Sequence, residues 1–241
     1  MNLSKIAKEE YSGILPAEIT TFKPQENENV LTLLTLLKEW LDVSYGNVME
    51  YQYDKIGDYS MGSYNPAKSA AHRLTLLCDK IGSFAKETKD FTPEDITSLC
   101  FFMSDFQDHP SFESCGEFFM PLINAHHSQT KNSVYNIITK HIDKKIHVLG
   151  KRNAGATIHV HGDVGHGVGE EMYNGTIIVY GNAEERVGSS MNDGIIIIQN
   201  HAGEDVGTFM KNGRIDLNGT YQSISRYKIG GEIYWKGKKI K

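Results

Sequence analysis

The stretch HVHGDVGH, from His159 to His166, concentrates residue types that bind metals or move protons. His159 and His161 are two apart, so on a strand their imidazoles face the same side. Asp163 and His166 follow in the next turn, and His147 lies upstream. Two imidazoles with a carboxylate or a third histidine suit zinc or another divalent ion. The alternative is a set of interface histidines held by hydrogen bonds alone. No other cofactor is expected.

Two other stretches invite a chemical reading and do not sustain it. Cys115, His126 and His127 are the residue types of a thiol nucleophile and its base, but no local signature of that chemistry accompanies them, and a structural cysteine is expected. GHGVG, from Gly165, lacks the lysine of a phosphate-binding loop and the strand, GxGxxG and helix context of a dinucleotide site. No catalytic residue is assigned, and the chain reads as leaning away from an enzyme.

The element that must position these histidines is a repeat. Met172, Met191 and Met210 are nineteen residues apart, as are Gly169, Gly188 and Gly207, and Gly175, Gly194 and Gly213. Three columns with one period predict a solenoid, each repeat being one coil stacked on the next. Within GTIIVYG, GIIIIQN, GRIDLNG and GEIYWKG, period-two alternation places Ile177, Ile196, Ile215 and Ile233, with Val179, Ile198, Leu217 and Trp235, on one face. That face must be the interior. ATIHVHG adds Ile158 and Val160 upstream, for about five coils, while the columns Val168, Val187, Val206 and Met172, Met191, Met210 line the other walls. Glycine is expected at the corners for its backbone freedom, and Asn200, standing where other coils have Gly162, Gly181 and Gly219, is expected to adopt left-handed geometry. Phosphate binding by these glycines is not expected.

VGEEMYNGTIIVYGNAEERVGSSMNDG, with its glycine, two residues and methionine, then Asn-Gly or Asp-Gly and a strand, resembles the GXGXG β-helix. That domain forms the C-terminal part of the glutamate synthase large subunit and also occurs in formylmethanofuran dehydrogenase, as one of its subunits. The resemblance spans roughly residues 155 to 237. It implies a right-handed parallel β-helix that supports and connects catalytic parts made elsewhere, and it supplies no catalytic residue. SRYKIGG, which has lost the methionine, is expected to be a terminal cap.

The first half differs in composition. All six prolines and all three cysteines precede residue 122, whereas seventeen of the twenty-three glycines lie from Gly150 onward. This shift predicts a boundary near 143–150, hence an N-terminal extension over 1–27, a helical domain over 28–145 and the β-helix over 150–241. The fold class is α+β. Val30, Leu33, Leu34, Leu37, Trp40 and Leu41 are helically spaced and predict a helix over 28–43. Further helices are expected from NPAKSAAHRLTLLCDKIGSFAKE, from TPEDITSLCFFMSDF with Thr92 as cap, from SFESCGEFFMPLINAHH with a kink at Pro121, and from SVYNIITKHID. Residues 45–64 read as a tyrosine-rich loop.

A net charge of −5 gives no reason to expect nucleic acid or an anionic membrane, and no apolar run reaches the length of a spanning helix. A cytoplasmic location is the default expectation, and WKGKKIK reads as a solvated tail. Outward positions would stack as His159, Ile178, Ile197, Asp216 and Tyr234, beside Thr157, Thr176, Ile195, Arg214 and Glu232. Ile178, Ile195 and Ile197 make an apolar patch that something should cover, with Tyr180 and Tyr234 as further contact residues. The helical half is the first expected cover, and another protein or a second copy the next. The expected function is a scaffold or adaptor for protein–protein interaction. Alternatives are a metal-binding protein or enzyme with a site around His159 and His161, or an accessory component of a glutamate synthase-like or formylmethanofuran dehydrogenase-like complex.

Overall fold

The structure is a computed structural model that describes residues 22–56, 70–131 and 133–241. Its helical part comprises α1 (Glu28–Ile56), α2 (Ala70–Glu87), α3 (Pro93–Phe102) and α4 (Gly116–Thr130), with 3-10 turns at Met103–Phe106 and Phe112–Cys115. The apolar stripe of α1 is buried apart from Leu34, which packs half-exposed at its edge, and Trp40 meets the edge of Phe118 with centroids 6.2 Å apart. The helix runs past the expected end at residue 43, because a lone Gly46 costs only about 1 kcal/mol. It thereby takes in the first part of the tyrosine-rich stretch; residues 57–69, with Tyr59 and Tyr64, lie outside the described residues, as do residues 1–21.

The capping expected at Thr92 is present. Asp95 returns a carboxylate oxygen to the Thr92 amide (2.9 Å) and also accepts from Asn27 (2.7 Å) and Asn29 (3.2 Å), so a cap residue doubles as the anchor for the start of α1. Pro121 lies inside α4.

The C-terminal part is a parallel β-solenoid of about five turns, and the whole is an α+β fold. Its strands are β1 (Val134–Ile138), β2 (Ala154–His161), β3 (Asn174–Val179), β4 (Ile195–Ile198), β5 (His201–Ala202), β6 (Arg214–Leu217), β7 (Thr220–Tyr221), β8 (Glu232–Trp235) and β9 (Lys238–Lys239). The main sheet has the order β1-β2-β3-β4-β6-β8-β9, and β5 pairs with β7 on a second wall. One register column joins Tyr135, Ile158, Ile177, Ile196, Ile215 and Ile233, and every member is fully buried. The valine and methionine columns are fully buried too. Each coil from Val168 to Met210 therefore hides four aliphatic side chains, each worth roughly 1.5–3 kcal/mol relative to exposure. Val164, Ala183 and Ala202 form a further bridged column, where alanine lets the walls approach.

Two segments differ from expectation, both at the ends of the stack. SVYNIITKHID is not a helix: Val134–Ile138 is the first strand, parallel to β2, with Tyr135 and Ile137 pointing inward. A run of aromatic and β-branched residues this short suits a pleated surface better than a helix, and pairing with β2 decides the matter. The sheet thus begins ahead of the composition shift. WKGKKIK is solvent-exposed throughout, as expected, but is also a paired strand: Lys236 and Gly237, at φ 47° and 77°, turn the chain so that β9 pairs antiparallel with β8. A lysine-rich edge strand discourages further pairing. At the other end α3 covers β1, and the Thr97 hydroxyl donates to the Asn136 carbonyl (3.0 Å).

Among the described residues the helices pack on β1 and β2, and none of these helices packs extensively on the strands that carry Ile178 and Ile197. Ile195 remains 39% exposed. The helices take the open end of the tube, and one continuous core of buried residues runs from Leu33 of α1 to Ile233 of β8.

The corners show two reasons for glycine. Gly188 has φ 67°, and a Cβ there would stand 2.6 Å from Ile215 Cδ1. Gly219 is not left-handed; a Cβ there would stand 1.9 Å from the Asn200 carbonyl oxygen, so close approach of successive coils is the constraint. Asn200 itself is not left-handed, contrary to expectation. Instead Arg152, Glu171, Ser190 and Phe209, nineteen apart, take φ between 54° and 57°. The amides of the first three bond carbonyls of the next coil at 2.9, 2.8 and 2.7 Å. A conformation unfavourable to each residue alone is held by the ladder.

Gly188→Ala should lose about 1–2 kcal/mol from its left-handed backbone and about 1–3 kcal/mol more from collision with Ile215. Gly237→Ala, at φ 77° with open space around it, should lose only the first part. Denaturant unfolding of the two variants checks this, and equal losses would refute the packing argument.

Candidate functional site

The structure separates the four expected metal ligands. His159 and His161 do face the same side of β2, but their ring centroids are 6.4 Å apart and each has another partner. His161 is 2% exposed, stacks on Tyr180 (4.9 Å, 16°) and places Nε2 3.0 Å from Asn136 Oδ1. Burial, helped by His159, pushes its imidazole down to about 4, so it is neutral at ordinary pH. His159 is lowered by burial as well. Asp163 Oδ1 accepts from the amide (2.7 Å) and side chain (2.9 Å) of Asn182, one coil on. It is a coil-to-coil link. His166 lies on another wall.

His166 instead meets His147 and Glu184, and ligand atoms of the three lie within 4.8 Å of one another. The two imidazoles stack with centroids 3.9 Å apart at an angle of 25°. His147 sits in the connection from β1 to β2, where its amide donates to the Glu113 carbonyl of the helical part. Gly165 beneath it must lack a side chain, because a Cβ there would lie 1.9 Å from His147 Nδ1. The His147 Nδ1 atom accepts from the His166 amide at 3.2 Å. Burial and then the neighbouring His166 lower the His147 imidazole. Glu184 accepts from Lys145 Nζ at 2.9 Å, a contact that raises the lysine. Glu184 also lines a groove of about 790 Å³ with Lys145, Glu185, Arg186, His201 and Glu204. All three cluster side chains are half-buried, so a small ion has access.

Glu184 is the residue that sequence reasoning missed. The signal existed in the period: His147 and His166 are nineteen residues apart, which stacks them, and Glu184 lies eighteen further on.

Cys115 is buried among the helices and burial pushes its thiol well up, while Cys100 is pushed to about 12. Neither is a nucleophile at neutral pH. His126 Nδ1 is 2.9 Å from the Tyr135 hydroxyl, a structural bond between α4 and β1.

The apolar patch lies where alternation placed it. Ile178 pairs in register with Ile197, and Thr176 with Ile195. Tyr180 is taken up by His161, and Tyr234 by the Arg214 guanidinium 4.1 Å above its ring and by Glu232 (2.9 Å). Arg214 also grips Asp216 with two bonds of 2.7 Å. The patch thus has imidazole and aromatic groups on one flank and a self-paired charged cluster on the other.

His161 supplies a test in pH. Its imidazole falls from an unfolded value of 6.5 to about 4 in the fold, so the folded state binds fewer protons between those values. Its contribution is complete above pH 6.5 and is lost as pH falls toward 4. Wild-type stability should drop more steeply over that window than that of His161→Gln, as read by denaturant midpoints at several pH values; parallel curves would refute the assignment. No protein-family model matches the chain, and neither a curated protein nor a solved structure matches it.

Proposed function

We propose that the protein is a non-catalytic scaffold whose parallel sheet docks a partner protein on its outward face. The observation that carries this reading is the outward aliphatic patch of exposed Ile195 with half-buried Ile178 and Ile197, on which none of the described helices packs extensively although they bury the end of the same sheet. An outward strand face of a solenoid is ordinarily polar, and aliphatic residues there raise the free energy of the uncovered state.

The surroundings support it. An apolar centre flanked by Arg214, Asp216, Glu232 and Tyr234 has the anatomy of a protein interface, in which a dry middle is bordered by polar groups. The parallel ladder supplies rigidity, because β3 and β4, which carry the patch, are each hydrogen-bonded on both sides, and a rigid surface loses little entropy when a partner binds. The helical part, joined through one core, moves with the sheet and presents a second surface in fixed relation to it. Interaction with a protein is the reading; no nucleic acid or membrane is called for.

The double substitution Ile178→Asp, Ile197→Asp is the test. Protein purified from native extract should carry a partner in fixed stoichiometry, and the double variant should lose it while its melting temperature stays within a few degrees of wild type. A wild-type chain recovered alone, or an assembly indifferent to the substitution, would overturn the proposal.

A further inference from the structure

We propose that His147, His166 and Glu184 form a divalent transition-metal site of the zinc class, which clamps the first three coils of the solenoid where the helical part joins them. The site is independent of the docking surface, since it uses another wall and none of the same residues.

Two imidazole nitrogens and one carboxylate oxygen are a donor set suited to zinc, and distinct from the all-oxygen shells of magnesium or calcium. Their separations are compatible with a shared ion. A point equidistant from three atoms 4.8 Å apart lies about 2.8 Å from each, and because imidazole lone pairs lie in the ring planes, one of the two stacked rings turns out of the stack to reach zinc bonds of about 2.0–2.2 Å. Three protein ligands leave one tetrahedral position to solvent, the arrangement of an open site rather than of a closed structural one.

The placement is built by the fold. His147 is on the first connection, His166 on the second and Glu184 on the third, and ladder bonds fix their heights: Val148 amide to His166 carbonyl (2.8 Å), Gly167 amide to Glu185 carbonyl (3.0 Å). The absent side chain at Gly165 is what lets the His147 ring lie over the second coil. Opposite the ring, the His147 backbone is tied to Glu113 and pressed against Gly116 of α4. A cation here therefore joins helical part and solenoid as well as coil to coil.

Binding exchanges existing contacts. The carboxylate of Glu184 is released from Lys145, and His147 Nδ1 gives up the His166 amide if that atom is the donor. This exchange makes Lys145 a competitor of the metal, which gives the site an unusual signature: removing a positive charge that pairs with the ligand should strengthen binding.

The experiment is calorimetric titration of the full chain, purified without a polyhistidine tag and treated with chelator, using Zn2+ alone. We expect one ion per chain and a melting temperature that rises with Zn2+ concentration, as for any ligand of the folded state. His147→Ala and His166→Ala should each weaken binding at least tenfold, His159→Ala should leave it unchanged, and Lys145→Met should tighten it. Thermal unfolding without metal shows whether each variant is folded. No uptake at millimolar Zn2+, binding that survives both His147→Ala and His166→Ala, or failure of Lys145→Met to tighten it would overturn the three-ligand site.

Discussion

A coil of nineteen residues has no interior of its own, and this constraint governs the whole molecule. Its isoleucine, valine and methionine side chains become buried only when a second coil lies above and a third below, so stability arises between repeats. Two consequences follow at once. The register must be kept strictly, since a one-residue slip would turn the inward columns to water. Both ends of the stack must also be covered, because the last coil exposes apolar side chains together with a row of unpaired amides and carbonyls.

The ends are covered by different means. At the start, α3 lies along β1, and Tyr135 extends the isoleucine column into the helical core, where its hydroxyl meets His126. Helices and solenoid thus share one core instead of meeting at a surface. At the finish, the chain folds back through Lys236 and Gly237 and ends the sheet with a short lysine-bearing strand. Glycines at the corners allow coils to approach within contact of one another. Non-glycine residues accept left-handed angles at the same heights because a ladder bond rewards each of them.

Stacking also explains how chemistry arises in such a fold. Residues one period apart stand directly over one another, so a commonplace pair such as His147 and His166 becomes a stacked pair of imidazoles. Asp163 and Asn182 form an equivalent polar pair, and Ile178 with Ile197 an apolar one. Clusters in the solenoid are therefore read down the stack, and even His159 and His161, neighbours along one strand, are engaged mainly by Tyr180 of the next coil.

The repeat was legible because three columns share a period, and the alternation within each strand assigned its inward and outward faces except at the last coil, where Trp235, expected inside with Leu217, is 38% exposed because no further coil lies over it. The stripe on α1 and the cap at Thr92 could be read for a similar reason, since both are local patterns with a mechanical cause. What only the tertiary structure decided lay at the boundaries. VYNII carries too few residues to choose between helix and strand, and the pairing with β2 chooses. WKGKKIK becomes a strand only against β8. The helices could have lain on the isoleucine patch or on the open end of the tube, and a linear pattern contains no term for that competition. Glu184 joins His147 and His166 through the heights of three connections; the period hints at this stacking, but its eighteen-residue step is one short of the repeat, and only the backbone path of the third connection brings the carboxylate to the imidazoles. Sequence by itself determined which faces are apolar; the fold decided which apolar surfaces meet, because burial is a property of pairs of surfaces and not of either alone.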